Sequence, residues 1–197
     1  PNWNGSESFT VSASDDDYTD SQSITVTVNA INDPPVATTD LAGTTDEDQS
    51  VVVTLSGSDD DGDNLTFSLG NDASNGSVVI DGIYATYTPT ANYHGSDSFT
   101  FTVSDSELSD DASVSISITS VNDAPVLAVV SDVSFDEDGS GLLSLSASDV
   151  ENDELTYGVS GGTYISAELD GSDVTFSAGP NWNGSESFTV SASDDDY

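Results

Sequence analysis

The 197-residue chain contains no lysine and no arginine. A surface without fixed positive charge offers no footprint to a phosphate backbone, which excludes nucleic acid as a partner. Anionic membrane surfaces are disfavoured for the same reason. Cysteine is absent too, so neither disulfides nor thiol chemistry operates. No apolar run reaches the roughly 18 residues of a membrane span, so this segment inserts in no bilayer as a helix. No signal peptide is visible, but the chain begins in mid-repeat and that absence says nothing about export. Histidine is limited to His94, which sits in a turn and leaves no material for a nucleophile-histidine-acid triad. Phosphate-binding glycine loops and zinc-ligand spacings are missing as well. We expect no enzymatic activity.

What the chain has instead is acid. Its 37 aspartates and glutamates give a formal net charge of −37. Six fall in residues 1–33, sixteen in 34–123 and fifteen in 124–197, so the charge belongs to the whole chain and not to a tail. Self-repulsion then opposes compaction, and no internal salt bridge with lysine or arginine can relieve it. Salt screens over about 10 Å at about 0.1 M, which helps spread charges but not clustered ones. Clustered carboxylates need a bound metal or a raised pKa. An extracellular protein without disulfides also needs another staple, and calcium would serve both ends.

Repetition is the second dominant feature. Pro1 to Tyr18 reads PNWNGSESFTVSASDDDY, and Pro180 to Tyr197 repeats it letter for letter. A diverged copy, Asn92-Tyr93-His94-Gly95-Ser96-Asp97-Ser98-Phe99, lies between them. Asn2 to Asn92 is 90 residues and Asn92 to Asn181 is 89. Fixed self-similarity of this kind marks an array of similar units, and about 90 residues can bury a core of their own. Identical outer copies around a diverged middle one imply an old duplication of one unit and a recent duplication of a pair.

Boundaries fall at Ile31-Asn32-Asp33-Pro34-Pro35-Val36 and Val121-Asn122-Asp123-Ala124-Pro125-Val126, again 90 residues apart. Proline forbids simple continuation of a strand's ladder, and a short proline-stiffened joint suits a rod better than a flexible string. The expected division is 1–33, the C-terminal part of one repeat; 34–123, a complete repeat; and 124–197, a repeat lacking its last strand.

The periodicity is β throughout. Ser8 to Ala13, Ser23 to Val28 and Ser113 to Ile118 alternate apolar residues with serine or threonine. Such runs build half-buried antiparallel strands. Asp81-Gly82 and Asp170-Gly171 predict two-residue hairpins, and Asn4-Gly5, Asn75-Gly76 and Asn183-Gly184 mark further turns. Several short strands per 90 residues predict an all-β chain of tandem β-sandwiches.

Acids recur in register along these units. Asp46-Glu47-Asp48 is matched by Asp136-Glu137-Asp138, and Asp59-Asp60-Asp61-Gly62-Asp63-Asn64 by Asp149-Val150-Glu151-Asn152-Asp153. A third acid follows the aromatic strand, at Asp15, Asp105 and Asp194. Calcium takes six to eight hard oxygens at about 2.3–2.6 Å, and carboxylates on adjacent loops with linker Asn and Asp groups can supply them. Solvated loop acids that keep the protein soluble are the alternative.

The linkers, the D-x-D-G turn leading into Leu65-Thr66-Phe67, and the half from Tyr87-Thr88-Pro89 to Asn122-Asp123-Ala124-Pro125 resemble bacterial cadherin-like repeats. These stand in tandem in large RTX-type adhesins and other surface proteins. The resemblance covers the whole chain and implies Ig/cadherin-like Greek-key sandwiches of about 90 residues with Ca²⁺ at the joints. Position by position, it implies metal ligands at Asn32 and Asp33 in the first linker and at Asn122 and Asp123 in the second. Glu47 would serve the second joint from the preceding domain. The following domains would supply Asp59 and Asp61, then Asp149 and Glu151, and the acid after the aromatic strand would add Asp105 and Asp194.

Departures lower the expected ion count. Animal cadherin linkers begin with an acid and end with asparagine, where this chain has Ala30 and Pro34, or Ser120 and Ala124. Their D-R-E motif has no counterpart in an arginine-free chain. One or two ions per joint are expected.

Trp3, Tyr93 and Trp182 share one repeat position and are expected to plug a sandwich end, with sugar stacking as the alternative. Sequons at Asn4, Asn64, Asn75 and Asn183 include Asn-Gly pairs that turn geometry explains. The expected role is that of calcium-rigidified extender repeats in a secreted, cell-surface bacterial adhesin or extracellular fibre, partnered by neighbouring repeats. The alternatives are a module binding a glycan or cell-surface ligand, and a filament subunit completed by strands of other chains.

Overall fold

A computed structural model describes residues 2–194; Pro1 and residues 195–197, the outer ends of the terminal repeat, lie outside it. Among the described residues every regular element is a strand. The chain divides into two compact units, Pro1–Ser120 and Val121–Tyr197.

The first unit holds β1 (Gly5–Ser14), β2 (Thr19–Val28), β3 (Val36–Ala37), β4 (Leu41–Asp46), β5 (Val51–Thr54) and β6 (Gly57–Ser58). It continues with β7 (Thr66–Leu69), β8 (Gly76–Asp81), β9 (Tyr84–Pro89), β10 (Gly95–Ser104) and β11 (Ser109–Thr119). One sheet runs β4-β11-β10-β7 and another β5-β9-β8, with β3 and β6 paired beside them. β11 pairs antiparallel with β10, Phe99 opposite Val114, and parallel with β4, Val114 opposite Leu41. Alternation decides what is buried. Ala112, Val114, Ile116 and Ile118 of β11 point inward, and the serines between them are exposed. They meet Phe99, Phe101 and Val103 of β10 and, from the second sheet, Val53, Ala85 and Tyr87. This is the core of a β-sandwich.

The hairpin β8–β9 turns one residue later than Asp81-Gly82 suggests. Asp81 pairs with Tyr84, so the loop is Gly82-Ile83. Gly82 has φ +59 and a Cβ there would touch nothing, so the backbone conformation alone selects glycine. The corresponding hairpin pairs Asp170 with Asp173 around Gly171, for the same reason.

β1 and β2 form a hairpin in the register of β10 and β11, with Phe9 opposite Ile24 as Phe99 is opposite Val114. No further strand of the described residues joins it. Phe9 is therefore 48% exposed, where Phe99 is 1% exposed.

The second unit holds β12 (Val126–Leu127), β13 (Ser140–Ser144), β14 (Ala147–Ser148), β15 (Thr156–Gly161), β16 (Ile165–Asp170), β17 (Asp173–Ala178) and β18 (Phe188–Ser193). Its sheets are β13-β17-β16, β15-β18 and β12-β14. Leu145, Val174 and Phe176 are its buried core, with Phe188 against Phe176 at 4.9 Å between ring centroids. Thirteen buried apolar residues form the first core and three the second, because the second sandwich is open on one side.

Candidate metal centre

The turn after β6 folds around one carboxylate. Asp59 Oδ1 accepts the amides of Asp61 at 2.9 Å and Asp63 at 3.1 Å. Gly62, φ +80, reverses the chain between them, with open space where its Cβ would be. The coiled turn turns three acids toward one another. One oxygen each of Asp59, Asp61 and Asp63 lies within 4.8 Å of the others.

The linker is tied to this turn on one side and to a hairpin on the other. Asp33 N donates to Asp61 Oδ2 at 2.8 Å. Its neighbour Asn32 donates through Nδ2 to Asp105 Oδ2 at 2.9 Å. Asp105 is buried, and its Oδ1 accepts the amides of Glu107 and Leu108, closing the turn between β10 and β11. The Leu108 amide and the Asn32 side chain together hold its carboxyl below the usual range. Asn2 Nδ2 adds a bond to Asp60 Oδ2 at 2.8 Å.

The second unit repeats the arrangement. Asp149 Oδ1 accepts the amide of Asp153 at 3.1 Å, and Asn152, φ 64, stands where Gly62 stood. Asparagine is among the few residues that tolerate that conformation. Asp149, Glu151 and Asp153 bring oxygens within 4.8 Å. Asp123 N donates to Glu151 Oε2 at 3.2 Å, and Asn122 Nδ2 donates to the buried Asp194 at 3.0 Å. Of the eleven residues expected from sequence, ten thus fall into two sets of five: Asn32, Asp33, Asp59, Asp61 and Asp105, then Asn122, Asp123, Asp149, Glu151 and Asp194. The eleventh, Glu47, is buried after β4, with its Oε2 3.8 Å from Nδ1 of His94 and its amide donating to Thr119 O. Glu137, at the matching position, is exposed.

Asp63 and Asp153 belong to the acidic strings but not to the expected ligand set. Their spacing from Asp59 and Asp149, with Gly62 or Asn152 just before, is the signal that marks them.

A different pair of acids, Asp97 and Glu186, occupies one repeat position and carries no motif that marks it in the sequence. Asp97 accepts the amides of Ser74, Asn75 and Ser98 and the hydroxyl of the fully buried Tyr87. Glu186 accepts the amides of Thr163, Tyr164 and Ile165. Each knots a loop to a strand. Burial pushes the Asp97 carboxyl up, but the amides and the Tyr87 hydroxyl outweigh it and hold it below the usual range. Burial and Asp97 push the Tyr87 phenol well up. A carboxyl with a depressed folded pKa stabilises fully above its unfolded value, about 3.9, and loses that contribution as pH falls through the folded one. Asp97→Asn is therefore expected to be less stable near neutral pH, the gap from the parent chain closing below about pH 4. Urea melts across that range read the gap directly; a constant gap contradicts the assignment.

The residues fit a hard divalent cation. Every donor gathered at the two acidic turns is an oxygen, the chemistry calcium prefers over the nitrogen and sulfur sets of zinc. Asp59 Oδ2, Asp149 Oδ2 and Glu151 Oε1 are buried without a hydrogen-bond partner. A buried carboxylate oxygen left without a partner is costly, and a bound cation would offset that cost. Separations of no more than 4.8 Å also lie inside the screening length of about 8 Å at physiological salt.

The aromatic position differs between copies. Tyr93 packs on the first core and donates to Ser96 O, and Trp182 stacks on Tyr164 at 5.7 Å. Trp3 is 58% exposed, since the β1–β2 hairpin brings no second sheet for it to close.

Comparison with known proteins follows the same lines. The bacterial Ig domain family matches residues 32–117 and 122–197. Extracellular cadherin domains 1–4 of protocadherin gamma B7 are similar in structure at 17% identity and a TM-score of 0.53, over 96% of this chain and 57% of that one. Human protocadherin-24 EC1-2 is similar at 16% identity and a TM-score of 0.53, over 81% of this chain and 87% of that one. Identities this low show the fold alone. An endo-fucoidan hydrolase of glycoside hydrolase family 107 aligns at 23% identity over 97% of this chain, with a TM-score of 0.40 that carries no argument. The chain spans 32% of that enzyme's length. No curated protein sequence matches the chain.

Proposed function

The chain belongs to the bacterial Ig domain family, with a cadherin-like all-β fold, and from that premise we propose that its repeats are calcium-stiffened extender units of a secreted bacterial surface protein. In this reading 34–123 is a complete repeat, and 1–33 and 124–197 are parts of its neighbours. The observation that carries it is the coupling of linker to acidic turn, Asp33 to Asp61 and Asp123 to Glu151, beside carboxylate oxygens that are buried and unpaired at Asp59, Asp149 and Glu151.

Asp59, Asp61 and Asp63 would hold one ion and Asp149, Glu151 and Asp153 another. Asn32, Asp33 and Asp105, and their counterparts Asn122, Asp123 and Asp194, would complete or support the sites. An ion bound at these turns neutralises clustered charge and immobilises the linker's hydrogen-bonding partners. A rigid linker converts flexible beads into a spacer, and binding energy becomes orientation and stability. The role is mechanical, and any adhesive ligand would belong to another part of the protein.

Two tests follow. Excess chelator is expected to change the scattering dimensions of the chain in calcium buffer; unchanged dimensions sink the stiffening role. Asp63→Asn removes one charge from the first site while its exposed side chain leaves the core untouched. It is expected to weaken calcium at that site by about tenfold, since affinity follows ligand charge count. Calorimetric titration reads this, and unaltered binding would remove Asp63 from the site. Sugar stacking at Trp182 gains no support, because its ring is engaged by Tyr164 and lies against Gly184, where a Cβ would come within 2.7 Å.

A further inference from the structure

Both carboxylate oxygens of Asp105 have partners. Oδ1 accepts the amides of Glu107 at 2.7 Å and Leu108 at 2.6 Å, and Oδ2 accepts the side-chain amide of Asn32 at 2.9 Å. Asp59 differs, since its Oδ2 is buried without a hydrogen-bond partner. Among the described residues of the first unit, the acids whose oxygens converge within 4.8 Å are Asp59, Asp61 and Asp63; Asp105 is not one of them. A buried carboxylate already satisfied by hydrogen bonds gains less from a cation than one that is not.

The turn-closing half of this arrangement belongs to the hairpin itself. Asp15, at the same repeat position, accepts the amides of Asp17 at 3.0 Å and Tyr18 at 2.7 Å through Oδ1. The half that holds the linker recurs in the second unit, where Asn122 donates through Nδ2 to Oδ2 of the buried Asp194 at 3.0 Å. The residue after each asparagine takes a different partner. Asp33 N donates to Asp61 Oδ2 and Asp123 N to Glu151 Oε2, both acids of the turns that gather three carboxylates. Adjacent linker residues are thus tied to unlike supports, a closed hairpin turn and an acidic turn whose charges repel one another.

We propose that Asp105 and Asp194 are positioning residues rather than metal ligands: with Asn32 and Asn122 they hold each linker on the repeat that follows it, with or without an ion. The neighbouring bond from Asp33 or Asp123 is the arm that responds to calcium, because its acceptor is one of the three acids that would hold the ion. Each linker then has a permanent arm and a conditional one. Removing calcium loosens the second and leaves the first, so the linker stays docked on its following repeat. The compact unit that begins at Val121 includes Asn122 and Asp123. The conditional arm rests on the calcium reading; the permanent arm does not.

NMR of the intact chain, in calcium and in excess chelator, tests the proposal. Chelator is expected to leave exchange at the Asn32 side-chain amide and at the Glu107 and Leu108 backbone amides within about twofold, and to speed it at Asp33 N about tenfold. Asp105→Asn keeps an oxygen for the Glu107 and Leu108 amides but sets an amide against that of Asn32. It is expected to speed exchange at the Asn32 side chain about tenfold in both buffers, with calcium affinity by calorimetry within about twofold of the parent's. Combination with Asn32→Asp restores an amide-to-carboxylate bond in the reverse direction. The double variant is therefore expected to lose less in melting temperature than the two single variants together, in chelator as in calcium. Calcium affinity about tenfold weaker in Asp105→Asn makes Asp105 a ligand and overturns the proposal. So does loss of the Asn32 side-chain protection when chelator is added to the parent chain. A chain that takes up no calcium fails the calcium reading and the conditional arm with it, while protection at Asn32 still decides the permanent one.

Discussion

Saturating calcium is expected to raise the melting temperature of the chain by about 10 °C. A ligand that binds only the folded state at a hundred times its Kd stabilises by about 2.7 kcal/mol, and about 1 kcal/mol moves the midpoint of a domain near this size by about 4 °C. The three-acid turns, one in each unit, would be the source. Sodium chloride at equal ionic strength supplies screening without coordination, and its effect is expected to be a small part of calcium's. Magnesium should fall between, since it prefers near-ideal octahedral geometry and gives up water reluctantly. Asp59→Asn with Asp149→Asn removes the carboxylate that organises each turn and is expected to abolish most of the gain. Calorimetric melts in matched salts make the comparison, and equal shifts from sodium and calcium would reduce the acidic turns to diffuse charge.

Truncating one repeat position in three settings gives three different losses. Phe99→Ala empties a site that is 1% exposed in the closed sandwich and is expected to cost about 3–5 kcal/mol. Phe9→Ala changes the same residue in the β1–β2 hairpin, where 48% of its surface is exposed, and should stay within about 0.5 kcal/mol. Phe188, half-buried against Phe176, belongs between them. Phe9 and Phe188 lie in identical sequence, so local propensity cannot explain a difference between them; only the surrounding sheets can. Urea melts of the three variants rank them, and equal losses at Phe9 and Phe99 would contradict the sandwich described for the first unit.

That comparison also marks the limit of what sequence makes legible. Alternation in Ser113 to Ile118 announces a strand with one buried face, and β11 has that face buried. Alternation is equally clear in Ser23 to Val28, yet β2 exposes it, because burial depends on a second sheet that sequence periodicity does not record. Residues 131–136 form no strand because the described residues of the second unit include no counterpart of β11, the strand that pairs with β4 across 73 residues, an absence the expected division of the repeats already implied. The acidic turns were visible as strings, and Gly62 signalled the reversal that gathers them. Asp63 and Asp153 lie outside the expected set because the family resemblance points to a pair of acids, where the turn gathers three. Asp97 and Glu186 were hidden more deeply. They sit inside an alternating strand motif, and nothing in that motif shows the loop amides that fold back onto them.

Equilibrium dialysis with radiolabelled calcium tests the central claim most directly. The parent chain is expected to take up at least two ions saturably, one at each acidic turn. The Asp59→Asn, Asp149→Asn chain is expected to retain fewer, with folded structure preserved by circular dichroism. Absence of saturable uptake at millimolar calcium, or uptake that the double substitution leaves intact, would contradict the account.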